Sequence, residues 1–173
     1  AIDTAGVTLA TTYYDGPFSA NNQQFANWWS SDYVGYANIR QGIAYSMNIV
    51  AMKCLLDTVS VDVGFEYAQN FGISTLVDSQ TTSSGTLSDK VPSLGLGGLT
   101  YGVTNLELTA AYASIANMGV YQEPIFYTRI LDHDGKVILE NSQETRTVLK
   151  ETSAYLLTRG MEETMQSDCP YEV

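Results

Sequence analysis

The chain has 173 residues, 45% of them hydrophobic and 16% charged, which is enough for one domain with its own core. Nineteen acidic residues against eight basic ones leave a formal net charge of −11. The basic residues are scattered singly, which argues against nucleic acid or an anionic membrane surface as a partner, since both need Lys/Arg clusters.

No apolar run approaches the ~20 residues that span a bilayer, and no signal peptide opens the sequence. Cys54 lies in an apolar run and reads as a small buried hydrophobe. Cys169 is far from it, and the two show no disulfide-framework spacing.

Residues 1–37 have little helical period and read as an extended segment packed by its aromatics. Gly16-Pro17 marks a turn. The pair Trp28-Trp29 reads as packing, with sugar stacking as the alternative. Asn38 is a candidate cap for a short helix over Ile39–Tyr45. After Ser46-Met47-Asn48, the residues Ile49, Met52, Leu56 and Val59 fall at helical spacing. Val50, Cys54 and Leu55 thicken that stripe, which predicts a buried helix. Ser60 caps a further helix over Val61–Asn70, and Gly72 stops it.

Residues 78–92 read as a loop. Gly95, Gly97, Gly98 and Gly102 follow without the lysine of a phosphate-binding loop, so they read as tight turns and close approaches of backbone. Thr104-Asn105-Leu106-Glu107 is a capping box. The helix it opens, through Asn117, is apolar on nearly every side and is expected to be central. Leu106, Ala110, Ala113 and Ile115 would form the core with Leu55 and Leu56, and Gly119 would end the helix. Ile125–Leu131 and Lys136–Glu140 read as a β-hairpin around Asp134-Gly135. The single histidine, His133, sits in that turn without a general-base partner. Glu151–Gln166 reads as a last helix with Ala154, Leu157, Met161 and Met165 on one face.

No metal-ligand spacing occurs and no cofactor is expected. A Ser-His-Asp triad would need His133. What remains is Ser46-Met47-Asn48 at a helix junction. Alternate residues of an extended turn project to one side, so Ser46 and Asn48 are expected on one exposed wall. The alternative is that both cap local backbone groups.

The surroundings of that tripeptide add information. The run Ile39-Arg40-Gln41-Gly42-Ile43-Ala44-Tyr45-Ser46-Met47-Asn48-Ile49-Val50-Ala51-Met52-Lys53 resembles the segment of class A penicillin-binding proteins that carries their S-x-N motif. Leu96 to Gly119 is similar to the same family's long signature, with Gly97-Gly98, Gly102-Val103-Thr104, Ala110-Ala111-Tyr112 and Ala116-Asn117-Met118-Gly119. The resemblance covers roughly residues 30–165.

It implies a mainly α fold with one β-hairpin, the helical subdomain of the penicillin-recognising (β-lactamase/transpeptidase-like) fold without most of its active-site sheet. The expected organisation is a partial transpeptidase domain: an extended segment 1–37, a helical core 38–120, a hairpin 121–141 and a C-terminal helix 148–166. The implied activity is D,D-transpeptidation of peptidoglycan stem peptides through a serine acyl-enzyme, which β-lactam antibiotics trap. The implied location is the extracytoplasmic face of the bacterial membrane, with a membrane-anchored parent. Ser46 would take part in proton relay and Asn48 would hold the substrate amide. The nucleophile motif S-x-x-K and the motif K-T-G are both missing from the 173 residues. The chain is therefore expected to lie between them and to be inactive alone. Rival readings are a non-catalytic transpeptidase-like scaffold, a serine β-lactamase relative, and a sugar-binding module using Trp28 and Trp29.

Overall fold

A computed structural model of the chain describes residues 1–29 and 32–165. Its helices are α1 (Ile39–Ala44), α2 (Asn48–Lys53), α3 (Val61–Asn70), α4 (Asn105–Ala116) and α5 (Glu151–Glu162). The strands are β1 (Thr12–Asp15), β2 (Phe18–Ala20), β3 (Gln23–Phe25), β4 (Gly35–Asn38), β5 (Gln80–Thr82), β6 (Gly85–Leu87), β7 (Val120–Gln122), β8 (Arg129–Leu131), β9 (Val137–Glu140) and β10 (Thr145–Thr147). They pair antiparallel as β1–β4, β2–β3, β5–β6, β7–β10 and β8–β9, and among the described residues no ladder exceeds two strands. This is the expected helix-rich architecture with small antiparallel sheets, and the hairpin β8–β9 has four companions.

The helix starts follow their caps. Asn38 Oδ1 accepts from Gln41 N at 2.8 Å while Gln41 Oε1 accepts from Asn38 N at 3.0 Å, a reciprocal box at α1. Ser60 Oγ accepts from Val63 N at 3.3 Å at α3. Thr104 and Glu107 close the box at α4. Gly119, at φ +86°, ends that helix, and a Cβ there would run into the Leu149 carbonyl.

Several sequence expectations need correction. Residues 1–37 are not merely extended, because β1–β3 and most of β4 lie there. The loop at 78–92 contains the hairpin β5–β6. Thr82 Oγ1 accepts from Ser84 N at 3.3 Å and donates to Gly85 O at 2.7 Å, which closes its turn. The strand expected from Ile125 begins only at Arg129. The helix expected over 49–59 is α2 followed by a π-helix, Cys54–Val59, in which Ser60 N donates to Leu55 O at 2.8 Å. The wider turn rotates the apolar stripe. Ile49, Val50 and Met52 stay buried, whereas Leu55, Leu56 and Cys54 are half-buried. Cys169 and Gln166 lie outside the described residues.

The largest correction concerns the core. It forms around Ala37, Met47 and Val50, with Tyr13, Trp29 and Tyr45 packed against it. Ile49 and Met52 are fully buried beside them. A Cβ on Gly42 would meet Val50 Cγ1 at 2.6 Å, so α1 and α2 touch through a missing side chain. By contrast α4 rests on α5 and β7 and buries only Ala110, Ala111 and Ser114. Leu106, Leu108, Tyr112 and Ala113 are exposed, and Ile115 is half-buried. An all-round apolar helix predicts cover on every side, and here it is covered on one.

Candidate active site

The tripeptide Ser46-Met47-Asn48 runs from the turn after α1 into the first residue of α2. Ser46 is not extended. Its φ is +51°, the left-handed region, which folds the chain back after α1. Met47, at φ −76° and ψ 110°, is the N-cap residue of α2, and its side chain is buried in the core. Ser46 is exposed, and its hydroxyl makes no hydrogen bond among the described residues. Asn48 is half-buried, and its Nδ2 donates to Ala26 O at 2.9 Å. That partner is 22 residues away, so neither side chain bonds a backbone group of its own helix start.

All three residues line an open, mainly apolar groove of about 730 Å³ between α1, α2 and α3. Ile43, Val50 and Leu55 furnish apolar wall, and Tyr67 adds a phenol. Tyr67 Oη donates to Asp3 Oδ2 at 2.7 Å. Burial, followed by that hydrogen bond, pushes the phenol up to about 12, so it remains a donor at neutral pH.

A strip of backbone and side chains backs the turn. Trp28 Nε1 donates to Tyr45 O at 3.0 Å. Ile49 N donates to Asn27 Oδ1 at 3.3 Å, and Asn27 Nδ2 donates to Asp15 Oδ1 at 2.8 Å. Val34 N donates to the other oxygen, Asp15 Oδ2, at 2.9 Å. Asp15 is fully buried. The sequence reading passed over both Asp15 and Asn27. Their only signal is a polar residue set among aromatics, beside Gly16-Pro17 and before Trp28.

The tryptophans meet edge to face, with ring centroids 5.4 Å apart and planes at 83°. They offer no shared flat platform, and Trp29 packs on the core. Lys53, the nearest lysine in sequence to the tripeptide, is committed elsewhere. Its Nζ donates to Tyr14 O at 2.7 Å and lies over the rings of Tyr14 and Phe18 at 5.6 and 5.4 Å. His133 is exposed at the hairpin tip, 3.1 Å from Asp134 and on a separate element from the turn.

Residues 1–169 match the model of the penicillin-binding protein transpeptidase domain. The chain belongs to the penicillin-binding protein transpeptidase family. Penicillin-binding protein 1A of Clostridium botulinum is 34% identical over 164 residues, which cover 90% of this chain and 19% of that protein. The chain thus spans about a fifth of the length of the curated relatives it matches. The fold recurs in penicillin-binding protein 1A from Haemophilus influenzae, with TM-score 0.75 and 20% identity over 98% of this chain and 28% of that one. It recurs too in the D,D-transpeptidase domain of a peptidoglycan glycosyltransferase from Eggerthella lenta, with TM-score 0.71 and 18% identity over 96% and 45%. These matches bear out the resemblance to class A penicillin-binding proteins carried by the two sequence segments.

Proposed function

We propose that this chain supplies the S-x-N wall of a serine D,D-transpeptidase that cross-links peptidoglycan stem peptides and is trapped by β-lactam antibiotics. The observation that carries the reading is the Ser46 hydroxyl, exposed at the groove and unbonded among the described residues, two residues from an asparagine whose Oδ1 has no hydrogen-bond partner among them. A hydroxyl both donates and accepts, so Ser46 can pass a proton between a nucleophilic serine and the leaving amine. Asn48, held by Ala26 O through its Nδ2, presents Oδ1 to a substrate amide N–H.

The nucleophile belongs to the full-length protein. Its oxygen forms an ester with the penultimate D-Ala carbonyl carbon, and the terminal D-Ala leaves as a protonated amine. An amine of a second stem peptide then takes the acyl group and frees the serine. A place on the extracytoplasmic face of the cell membrane, with a membrane-anchored parent, follows from the same reading, as that is where such substrates are. No cofactor takes part. The test is to incubate the full-length protein with a fluorescent penicillin and measure intact mass. A stoichiometric adduct supports the reading. Its absence favours a non-catalytic scaffold, and rapid turnover of the penicillin favours a β-lactamase.

A further inference from the structure

Three consecutive residues, Ala26, Asn27 and Trp28, each hold one residue of the turn that contains the S-x-N tripeptide. Ala26 O takes Asn48 Nδ2, Asn27 Oδ1 takes Ile49 N, and Trp28 Nε1 reaches Tyr45 O. Met47 makes no side-chain cap, so the amide of Ile49, in the first turn of α2, has Asn27 as its acceptor from 22 residues away. Which end of the Asn27 amide faces Ile49 is decided by Asp15. A carboxylate offers only acceptors, and here Val34 N occupies one oxygen and Asn27 Nδ2 the other. With Nδ2 committed to Asp15, Oδ1 must face the Ile49 N–H.

We infer that Asp15 and Asn27 are positioning residues for the S-x-N turn: the buried carboxylate fixes the flip of the Asn27 amide, and that amide fixes the start of α2 and hence the pose of Ser46 and Asn48. The inference rests on the proposed acyl-transfer role of those two residues. Asp15 acts through Asn27 and does not reach the groove, which it does not line. Replacing it by asparagine keeps the shape and breaks the logic. Asn at position 15 has one acceptor oxygen where Val34 N and Asn27 Nδ2 now use two, so an NH2 group replaces one of the two acceptors. Either Asn27 flips and turns its NH2 toward the Ile49 N–H, or a buried donor is orphaned.

The swap restores every bond. In Asp15→Asn/Asn27→Asp, the amide at 15 accepts from Val34 N and donates to the carboxylate at 27. That carboxylate's other oxygen accepts from Ile49 N.

The experiment has two arms. In the 173-residue chain, hydrogen exchange at the Ile49 amide is expected to accelerate in Asp15→Asn and to slow again in the swap. In the full-length protein, Asp15→Asn is expected to slow acylation by a fluorescent penicillin, per folded molecule, on the order of 10²-fold, the usual cost of a misplacement near 1 Å. The swap is expected to recover most of that loss. Thr104→Ala serves as the control, since it weakens the fold at a distance and should leave the rate per folded molecule unchanged. If Asp15→Asn behaves like Thr104→Ala, the two residues serve stability alone and the inference is overturned. Failure of the swap to restore both exchange and rate overturns it equally. If the wild-type full-length protein forms no adduct at all, the acyl-transfer reading fails, and the exchange arm still decides whether the relay exists.

Discussion

The helices α4 and α2 start in opposite ways. At α4 the cap is local: Thr104 Oγ1 accepts from Glu107 N at 3.2 Å and Glu107 Oε2 accepts from Thr104 N at 3.1 Å, all within four consecutive residues. Ser74 then adds its hydroxyl at 2.6 Å and its amide at 2.9 Å to Glu107 Oε1. At α2 the cap residue is Met47, which contributes no hydrogen bond, and the acceptor arrives from Asn27. The α4 start thus spends Thr104 and Glu107 on its own cap and on Ser74. A start served from elsewhere leaves Ser46 and one end of Asn48 without a hydrogen bond among the described residues. The turn proposed to carry the chemistry is thus the one whose helix start lacks a local cap.

Four measurements separate the two helix starts. The largest effect concerns covalent labelling. The 173-residue chain has no S-x-x-K serine, and Ser46 has no lysine or histidine bonded to it. In another serine acyl-transfer enzyme, loss of the nucleophile costs on the order of a million-fold. Incubating this chain alone with a fluorescent penicillin should therefore leave its intact mass unchanged. A stoichiometric mass increase would assign the nucleophile to these residues and remove Ser46 from its supporting role.

Next, Ser46→Ala in the full-length protein should slow acylation by about 10²-fold or more, the scale of a lost proton-transfer group. Its unfolding midpoint should stay put, because the hydroxyl makes no hydrogen bond among the described residues. A midpoint drop with an unchanged rate would reverse the comparison, making α2 the structural start.

Thr104→Ala should do the opposite and destabilise the chain by ~1 kcal/mol, the usual cost of losing an N-cap, as read from the denaturation midpoint. An unchanged midpoint would show that Ser74 alone suffices to hold Glu107.

The smallest effect is a pH dependence. Hydrogen bonds from Ser74 first, then Thr104, lower the Glu107 carboxyl from an ordinary 4.5 to about 2. A folded value below the unfolded one means that stability is fully present above about 4.5 and is lost as pH falls toward 2. Glu107→Gln should flatten the stability–pH curve in that window, as followed by thermal melts from neutral pH to pH about 2. A curve parallel to wild type would place the acid sensitivity elsewhere.

Features governed by neighbours in sequence were legible. Asn38, Ser60 and Thr104 were read as caps and act as caps, and the Asp132–Gly135 turn holds its hairpin through Asp132 Oδ1, which accepts from Asp134 N and Lys136 N. The family was legible as well, because its signature is a continuous run from Leu96 to Gly119. Features governed by distant partners were not. Nothing local tells that β1 pairs with β4 across residues 16–34, or that Asp15 meets Asn27. The burial of α4 was misread for a related reason: composition reports how apolar a helix is, and the neighbours of Leu106 and Tyr112 decide whether that surface is covered. At the turn the conformation was not legible, since an extended tripeptide and one with a left-handed first residue share the same letters.

That left-handed serine has an evolutionary reading. An L-residue at φ +51° carries a steric cost of about 1–2 kcal/mol that glycine escapes. Ser46→Gly should therefore yield a hardier protein without its hydroxyl. A library of variants screened for heat resistance alone should drift toward glycine at position 46, whereas, on the proposed role of Ser46, one screened for cell-wall synthesis should hold serine. Disagreement between the two screens at position 46 would mean that the strain is kept for the proposed reaction and not for the fold.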